Sequence, residues 1–107
     1  ASTATAFEDL LEELTAAGIE NVILDPGIAI NYRGDYDAYS RMQLQVIAGS
    51  ERLRSLGRPV LIPIPRKRDG HRLAVYVGMA LEHEADIVRV HDVAMACDLV
   101  RLFGRTP

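Results

Sequence analysis

The sequence predicts an α/β fold built from parallel strand–helix units. Three short segments are apolar at successive positions: NVIL (21–24), PVLIPI (59–64) and the first part of ADIVRVHDV (85–93). Segments with helical periodicity separate them. Strands that are apolar on both faces and alternate with helices are typical of a parallel sheet. We therefore expect one helix followed by three strand–helix units.

The first helix is predicted over TAFEDLLEELTAAG (5–18), which Gly18 ends. Its apolar residues recur at helical spacing: Phe7, Leu10, Leu11 and Leu14. The strand NVIL comes next and ends in the turn Asp25-Pro26-Gly27. A long loop then leads to the second helix.

The second helix is predicted from Tyr36 to Leu56. Its core-facing positions keep the helical period: Met42, Val46, Gly49, Leu53 and Leu56. A glycine inside a helix costs about 1 kcal/mol relative to alanine. We therefore expect a kink near Gly49.

The second strand, PVLIPI, contains Pro63, which cannot donate a hydrogen bond to a neighbouring strand. Either the strand ends at Pro63 or it bulges there. The third helix is predicted from His71 to Glu84. Asp92 then follows the last strand and is well placed to cap the final helix, 93–103.

The composition limits the classes of protein to which the chain can belong. It has 107 residues with 12 basic and 15 acidic side chains, and its formal charge of −3 argues against a general nucleic-acid binder. No apolar run approaches the roughly 20 residues that a membrane span requires. The single Cys97 cannot form an internal disulfide and is predicted to be a small buried residue, so a reducing cytoplasm is the expected location.

Polar residues follow each predicted strand. They are Asp25 after the first, Arg66, Lys67 and Arg68 after the second, and Arg89, His91 and Asp92 at the end of the third. Ligands bind at the carboxyl ends of parallel strands, and neighbouring strands lie about 5 Å apart. If the three strands are neighbours, these groups surround a pocket about 10 Å across.

Arg89 is predicted to be buried in its strand, where an unpaired charge costs several kcal/mol. It therefore needs a partner. One reading is an ion pair with Asp25 or Asp92; the other is an anionic ligand, which His91 on the same face would also favour. Taken alone, Asp25 is a turn residue and the basic run 66–72 is a solvated loop.

Three segments in this order, ENVILDPGIAI, LGRPVLIPIPRK and ADIVRVHDV, closely resemble the last three strands of the dihydropteroate synthase family. That family has an Asp-Pro-Gly-Ile strand end, a Ser-Arg-Lys strand end and an Arg-x-His at the last strand. The match covers most of residues 18–103. The resemblance implies that residues 1–107 are a single, partial pterin-binding domain, the carboxyl-terminal portion of a TIM (β/α)8 barrel.

The resemblance also implies an activity and roles for the residues. The family enzyme is a transferase of folate biosynthesis that joins 6-hydroxymethyl-7,8-dihydropterin pyrophosphate to p-aminobenzoate and releases pyrophosphate with Mg2+. By analogy, Asp25 binds the amino and ring N–H edge of the pterin, and Lys67 binds its carbonyl and ring nitrogen. Arg89 flanks the pterin and His91 holds the pyrophosphate.

The chain departs from the family where the acceptor binds. The segment Ala29–Tyr32 stands where the family has Gly-Phe-Gly-Lys, Pro65 replaces a serine, and Arg68 replaces the serine that meets the aminobenzoate carboxylate. An arginine can still pair with a carboxylate, so Arg68 is compatible with an acidic acceptor. The alternative is a non-catalytic or altered-acceptor paralogue that binds a pterin or phosphate ligand.

A closed barrel takes about 250 residues, so the chain is expected to need further barrel segments. Three arrangements provide them: a longer protein, a split barrel with a second subunit, or a short domain that oligomerises, for instance as a homodimer. We expect the chain alone to be inactive, and we expect no nucleic-acid or membrane partner.

Overall fold

The computed structural model describes residues 3–28, 34–66 and 69–105. Within these ranges the elements are α1 (Thr3–Ala16), α2 (Tyr36–Gly49), a 3₁₀ helix (Ser50–Leu56), β1 (Leu61–Pro63), α3 (Gly70–Glu82), β2 (Ile87–Arg89) and α4 (Val93–Leu102). The chain is therefore α/β, with its elements in the predicted order. None of the described helices is long and apolar enough to cross a membrane.

The described part of the sheet has β1 at its centre. β1 and β2 are parallel, with Leu61 opposite Ile87 and Pro63 opposite Arg89. The predicted first strand is wrong in extent, because it is reduced to a single parallel bridge between Leu24 and Val60. That bridge lies on the other side of β1, so the three strand segments are neighbours and the first and third polar strand ends flank the second.

Two prolines explain why pairing with the first segment stops so early. The Leu61 N–H donates to the Leu24 carbonyl at 2.8 Å. The next bond of a parallel ladder would run from residue 26 to the Leu61 carbonyl, and the one after it from residue 63 to the carbonyl of residue 26. Both residues are prolines and have no N–H to donate. On the other edge, the Ile64 N–H still donates to the Arg89 carbonyl at 2.9 Å. The strand ends at Pro63, which is the first of the two predicted alternatives.

The helices cover one face of this sheet and form the core with it. The buried apolar side chains from the central segment are Val60, Ile62 and Ile64, and those from the helical layer are Ile47, Leu53, Tyr76, Val77, Ala80, Leu81 and Ala96. α3 contacts both α2 and α4. The molecule measures 44 × 38 × 18 Å along its principal axes, so it has one sheet layer and one helix layer.

The second predicted helix changes character at Gly49. The α-helix ends there and a 3₁₀ helix continues to Leu56, which confirms that the helix is interrupted near Gly49. A glycine lowers helix stability at this point, and 3₁₀ turns are common at helix ends.

The buried face of α2 is partly polar and differs from the predicted apolar stripe. Met42 is 45% exposed, whereas Ser40 and Gln43 are buried. The hydroxyl of Tyr76 on α3 lies 3.1 Å from the Ser40 carbonyl oxygen and 2.9 Å from Gln43 Oε1. Apolar periodicity could not reveal this face, because its polar groups are satisfied by a residue from another helix.

Asp86 ties the start of β1 to the 3₁₀ helix at the amino end of the sheet. Its Oδ2 accepts the Val60 N–H at 2.8 Å, and its Oδ1 accepts Nη2 of Arg54 at 3.1 Å. Arg54 Nη1 also donates to the carbonyl of Glu84, a residue with φ of 60°. This network lies away from the carboxyl ends of the strands, which indicates a role in stability.

Two details of the last helices differ from the prediction. α3 spans Gly70–Glu82, close to the predicted His71–Glu84. Cys97 on α4 is exposed, so the prediction that it is buried is wrong. The buried residue of α4 is Ala96, and Cys97 lies about 100° away from it around the helix axis.

Candidate functional site

One face of the sheet is left open by the described helices. Successive side chains of a strand point to opposite faces, so the strand register assigns these residues to the open face: Ile23, Asp25, Leu61, Pro63, Ile87 and Arg89. Ile23 is 53% and Ile87 39% exposed. The open face is therefore apolar towards the amino ends of the strands and polar towards their carboxyl ends.

Arg89 is exposed on this face, so the prediction that it is buried is wrong. The adjacent Val88 faces the core instead. Among the described residues the Arg89 guanidinium forms no ion pair. Asp92 caps α4 by accepting the Met95 N–H at 3.0 Å, as predicted. The predicted ion pair of Arg89 with Asp25 or Asp92 is therefore not observed.

His91 contacts Arg66, which brings together the ends of the second and third strands. Nη2 of Arg66 lies 3.3 Å from Nδ1 of His91, and both side chains are exposed. A guanidinium can only donate hydrogen bonds. Nδ1 must therefore accept, and the ring proton is on Nε2. Together with Arg89, these two side chains form what we call the cation cluster: Arg66, Arg89 and His91.

Asp25 forms the local turn that its sequence context suggests. Its Oδ1 accepts the Gly27 N–H at 2.8 Å. Gly27 has φ of 75°, a conformation that glycine adopts without strain. The carboxylate is exposed on the open face, so a ligand on that face can reach it.

The strand register separates Asp25 from the cation cluster. Asp25 is level with Leu61 and Ile87, one residue beyond the Leu24–Val60 bridge. Arg89 lies two residues higher on β2. From a rise of about 3.3 Å per residue and a strand spacing of about 4.8 Å, the Cα of Asp25 lies about 12 Å from that of Arg89.

Two predicted site residues, Lys67 and Arg68, lie outside the described residues, as does the altered segment 29–32. Their positions in the site stay predictions. Pro65, which stands where the resembled family has serine, is buried. A proline offers no hydroxyl at that point.

Sequence reasoning missed the pairing of Arg66 with His91. It also missed an ion pair of Arg72 near the carboxyl ends of the strands. Arg72, at the start of α3, donates from Nη2 to Asp37 Oδ1 at 2.9 Å and lies 5.2 Å from the centre of the Tyr36 ring. The hydrogen bond to Asp37 raises the pKa of the Arg72 guanidinium. Because Asp37 and Arg72 are far apart in sequence, no spacing could have revealed this pair.

No group of three or more histidine, cysteine, aspartate or glutamate side chains in the described ranges could hold a metal ion. The carboxylates nearest the site also have local roles, since Asp25 binds a turn N–H and Asp92 caps a helix. The Mg2+ that the resemblance implies therefore stays a prediction.

Comparison with known proteins agrees with the motifs at the strand ends. The chain is similar to dihydropteroate synthase. It is 29% identical to that enzyme of Bacillus subtilis (strain 168) over 109 residues, which covers 90% of this chain and 38% of the relative. The dihydropteroate synthase of Clostridium beijerinckii is 28% identical over 104 residues, covering 81% and 38%. The chain thus spans about two fifths of the length of both relatives. No family model matches it.

Proposed function

We propose that the protein containing this chain is a dihydropteroate synthase-like transferase. In the proposed reaction, the amine nitrogen of p-aminobenzoate attacks the methylene carbon of 6-hydroxymethyl-7,8-dihydropterin pyrophosphate. The carbon–oxygen bond breaks, pyrophosphate leaves with the bonding electrons, and the amine loses a proton. The observation that carries the proposal is the cation cluster on the open face, in a chain similar to dihydropteroate synthase.

The cation cluster is suited to the leaving pyrophosphate. Arg66 and Arg89 carry permanent charge, and guanidinium groups match phosphate oxygens in geometry. His91 adds a donor through Nε2. Stabilising the departing anion is the main contribution that a protein can make to a displacement of this kind. The described ion pairs do not involve either arginine, so no described carboxylate neutralises their charge beside the anion.

Asp25 is suited to the opposite end of the same ligand. A carboxylate accepts hydrogen bonds from an amino group and a ring N–H side by side, which is the edge that a pterin presents. The separation of Asp25 from Arg89, about 12 Å between their Cα atoms, favours a ligand that has a ring at one end and a diphosphate at the other. In this proposal Lys67 binds the pterin and Arg68 the acceptor carboxylate.

The open face explains why we propose further barrel segments. Ile23 and Ile87 expose apolar surface next to the site, and the relatives are more than twice as long as the chain. Further strands, from the same protein or from another subunit, would cover this surface and complete the pocket. We propose that the chain alone is inactive.

The test is an assay of pyrophosphate release by the assembled protein, with dihydropterin pyrophosphate as the donor. The proposal predicts release that requires p-aminobenzoate and that falls strongly in His91→Ala. Binding of the donor without release would support the alternative, an altered-acceptor or non-catalytic paralogue. If a folded assembly neither binds the donor nor releases pyrophosphate, that result contradicts both the transferase and the alternative.

A further inference from the structure

The contact between Arg66 and His91 restricts the protonation of the imidazole. Nη2 of Arg66 points at Nδ1 of His91 at 3.3 Å. Because the guanidinium has five N–H donors and no acceptor, it cannot meet a protonated Nδ1 favourably. A doubly protonated ring would also place like charges side by side. The contact therefore requires a neutral ring with its proton on Nε2.

We infer that Arg66 is a positioning residue, which acts through His91 by fixing Nε2–H as the donor to a diphosphate. This inference rests on the proposed function, and it adds a residue to which the resemblance assigned no role. The inference is based on one observation, the Arg66–His91 contact between the ends of neighbouring strands.

The arrangement has a physical advantage for anion binding. An exposed imidazole on its own rotates freely and exchanges its proton between the two nitrogens, so a ligand must select one orientation and one tautomer. Arg66 fixes both before the ligand arrives, and pre-organised donors bind more tightly because less freedom is lost on binding. The charges of Arg66 and Arg89 remain to balance the anion.

A double-mutant cycle in the assembled protein separates this positioning role from a direct contact. The probe is inorganic pyrophosphate, titrated by calorimetry into wild type, Arg66→Met, His91→Ala and the double variant. We expect Arg66→Met to weaken binding about tenfold, the effect of one charge-assisted hydrogen bond. In the His91→Ala background the same change should have much less effect, because the residue through which Arg66 acts is gone.

Two further variants control for charge and for donor capacity. Arg52→Met removes the same charge from the exposed surface of the 3₁₀ helix, which precedes β1 and is remote from the carboxyl ends of the strands. It should leave pyrophosphate affinity unchanged. Arg66→Lys keeps a positively charged group that only donates hydrogen bonds. It should therefore lose less affinity for pyrophosphate than Arg66→Met.

Nitrogen NMR of histidine-labelled protein gives a readout that affinity alone does not. The His91 signals are assigned by their loss in His91→Ala. For the neutral ring in wild type we expect a protonated Nε2 and a bare Nδ1, with the two tautomers mixing in Arg66→Met.

The outcomes separate the inference from the proposed function. Pyrophosphate binding by wild type, with equal losses for Arg66→Met in both backgrounds or an unchanged His91 tautomer, would overturn the inference and leave the function standing. Absence of pyrophosphate binding by a folded wild type would overturn both. Coupled losses together with the tautomer change would support both.

Discussion

At the scale of single residues, the hydroxyl of Tyr76 is the main polar group buried between α2 and α3. It lies within hydrogen-bond distance of the Ser40 carbonyl oxygen and of Gln43 Oε1. We expect Tyr76→Phe to lower the free energy of unfolding by about 1–2 kcal/mol, because buried polar atoms lose a partner. Urea denaturation measures this.

Val75, the neighbouring residue on α3, provides the control for that measurement. Its side chain is 52% exposed, and exposed substitutions usually change stability by less than about 0.5 kcal/mol. Val75→Ala should therefore leave the midpoint of unfolding nearly unchanged. An equal loss in Tyr76→Phe and Val75→Ala would contradict the role given to the Tyr76 hydroxyl.

The second prediction for a single residue concerns Asp86. Its carboxylate accepts both the Val60 N–H and the Arg54 guanidinium. Asp86→Ala should cost about 2 kcal/mol, because a partly buried strand N–H loses a charged acceptor. Asp98→Ala is the matched control: that carboxylate is 77% exposed and 3.9 Å from Arg101, a pair expected to contribute little. Thermal unfolding of both variants would test this, and similar shifts would count against it.

At the scale of elements, the helix starts near the site differ in their capping. Asp92 accepts the Met95 N–H at the start of α4, whereas Asp69 makes no side-chain capping hydrogen bond at the start of α3. Asp92→Ala should therefore destabilise the protein by about 1 kcal/mol, and Asp69→Ala by clearly less. If chemical denaturation gives equal losses of unfolding free energy for the two variants, the two caps contribute equally to stability and the prediction is wrong.

The order of elements could be predicted from the sequence because apolar periodicity, glycine stops and capping residues are local signals. Gly18, Gly49 and Asp92 each mark a boundary that the structure confirms. The extent of the first strand could not be predicted. Its pairing depends on which residues of β1 lie opposite it, and Pro26 and Pro63 both lack the N–H that the next two ladder bonds would need.

The candidate site could be predicted only in part. Alternation along β2 placed Arg89 and Val88 on opposite faces, as the structure shows, but the sequence did not show which face the helices cover, so Arg89 was expected to be buried. The Arg66–His91 contact depends on the relative heights of two strand ends. That register is set by tertiary pairing and leaves no periodic signal in the sequence.

At the scale of the whole molecule, the chain is a slab with one uncovered apolar face. Its radius of gyration is 14.8 Å, compared with about 13 Å for a compact domain of this length. We expect Ile23→Asp with Ile87→Asp to weaken association through this face, because charges replace exposed apolar groups. Sedimentation velocity and apolar dye binding measure the change.

Leu102, which is 75% exposed on α4, provides the control for the open face. Leu102→Asp adds a charge to the helix layer and should leave association unchanged. A wild-type chain that sediments as a stable monomer without binding the dye would contradict the need for further barrel segments.

The central claim is that the carboxyl ends of these strands bind a pterin diphosphate. The most direct test is calorimetric titration of the assembled protein with dihydropterin pyrophosphate and, separately, with the unphosphorylated dihydropterin alcohol, using wild type, His91→Ala and Arg101→Ala. We predict much tighter binding of the diphosphate by wild type, loss of that preference in His91→Ala, and no change in Arg101→Ala. Equal affinity for the two ligands, or a preference that survives in His91→Ala, would contradict it.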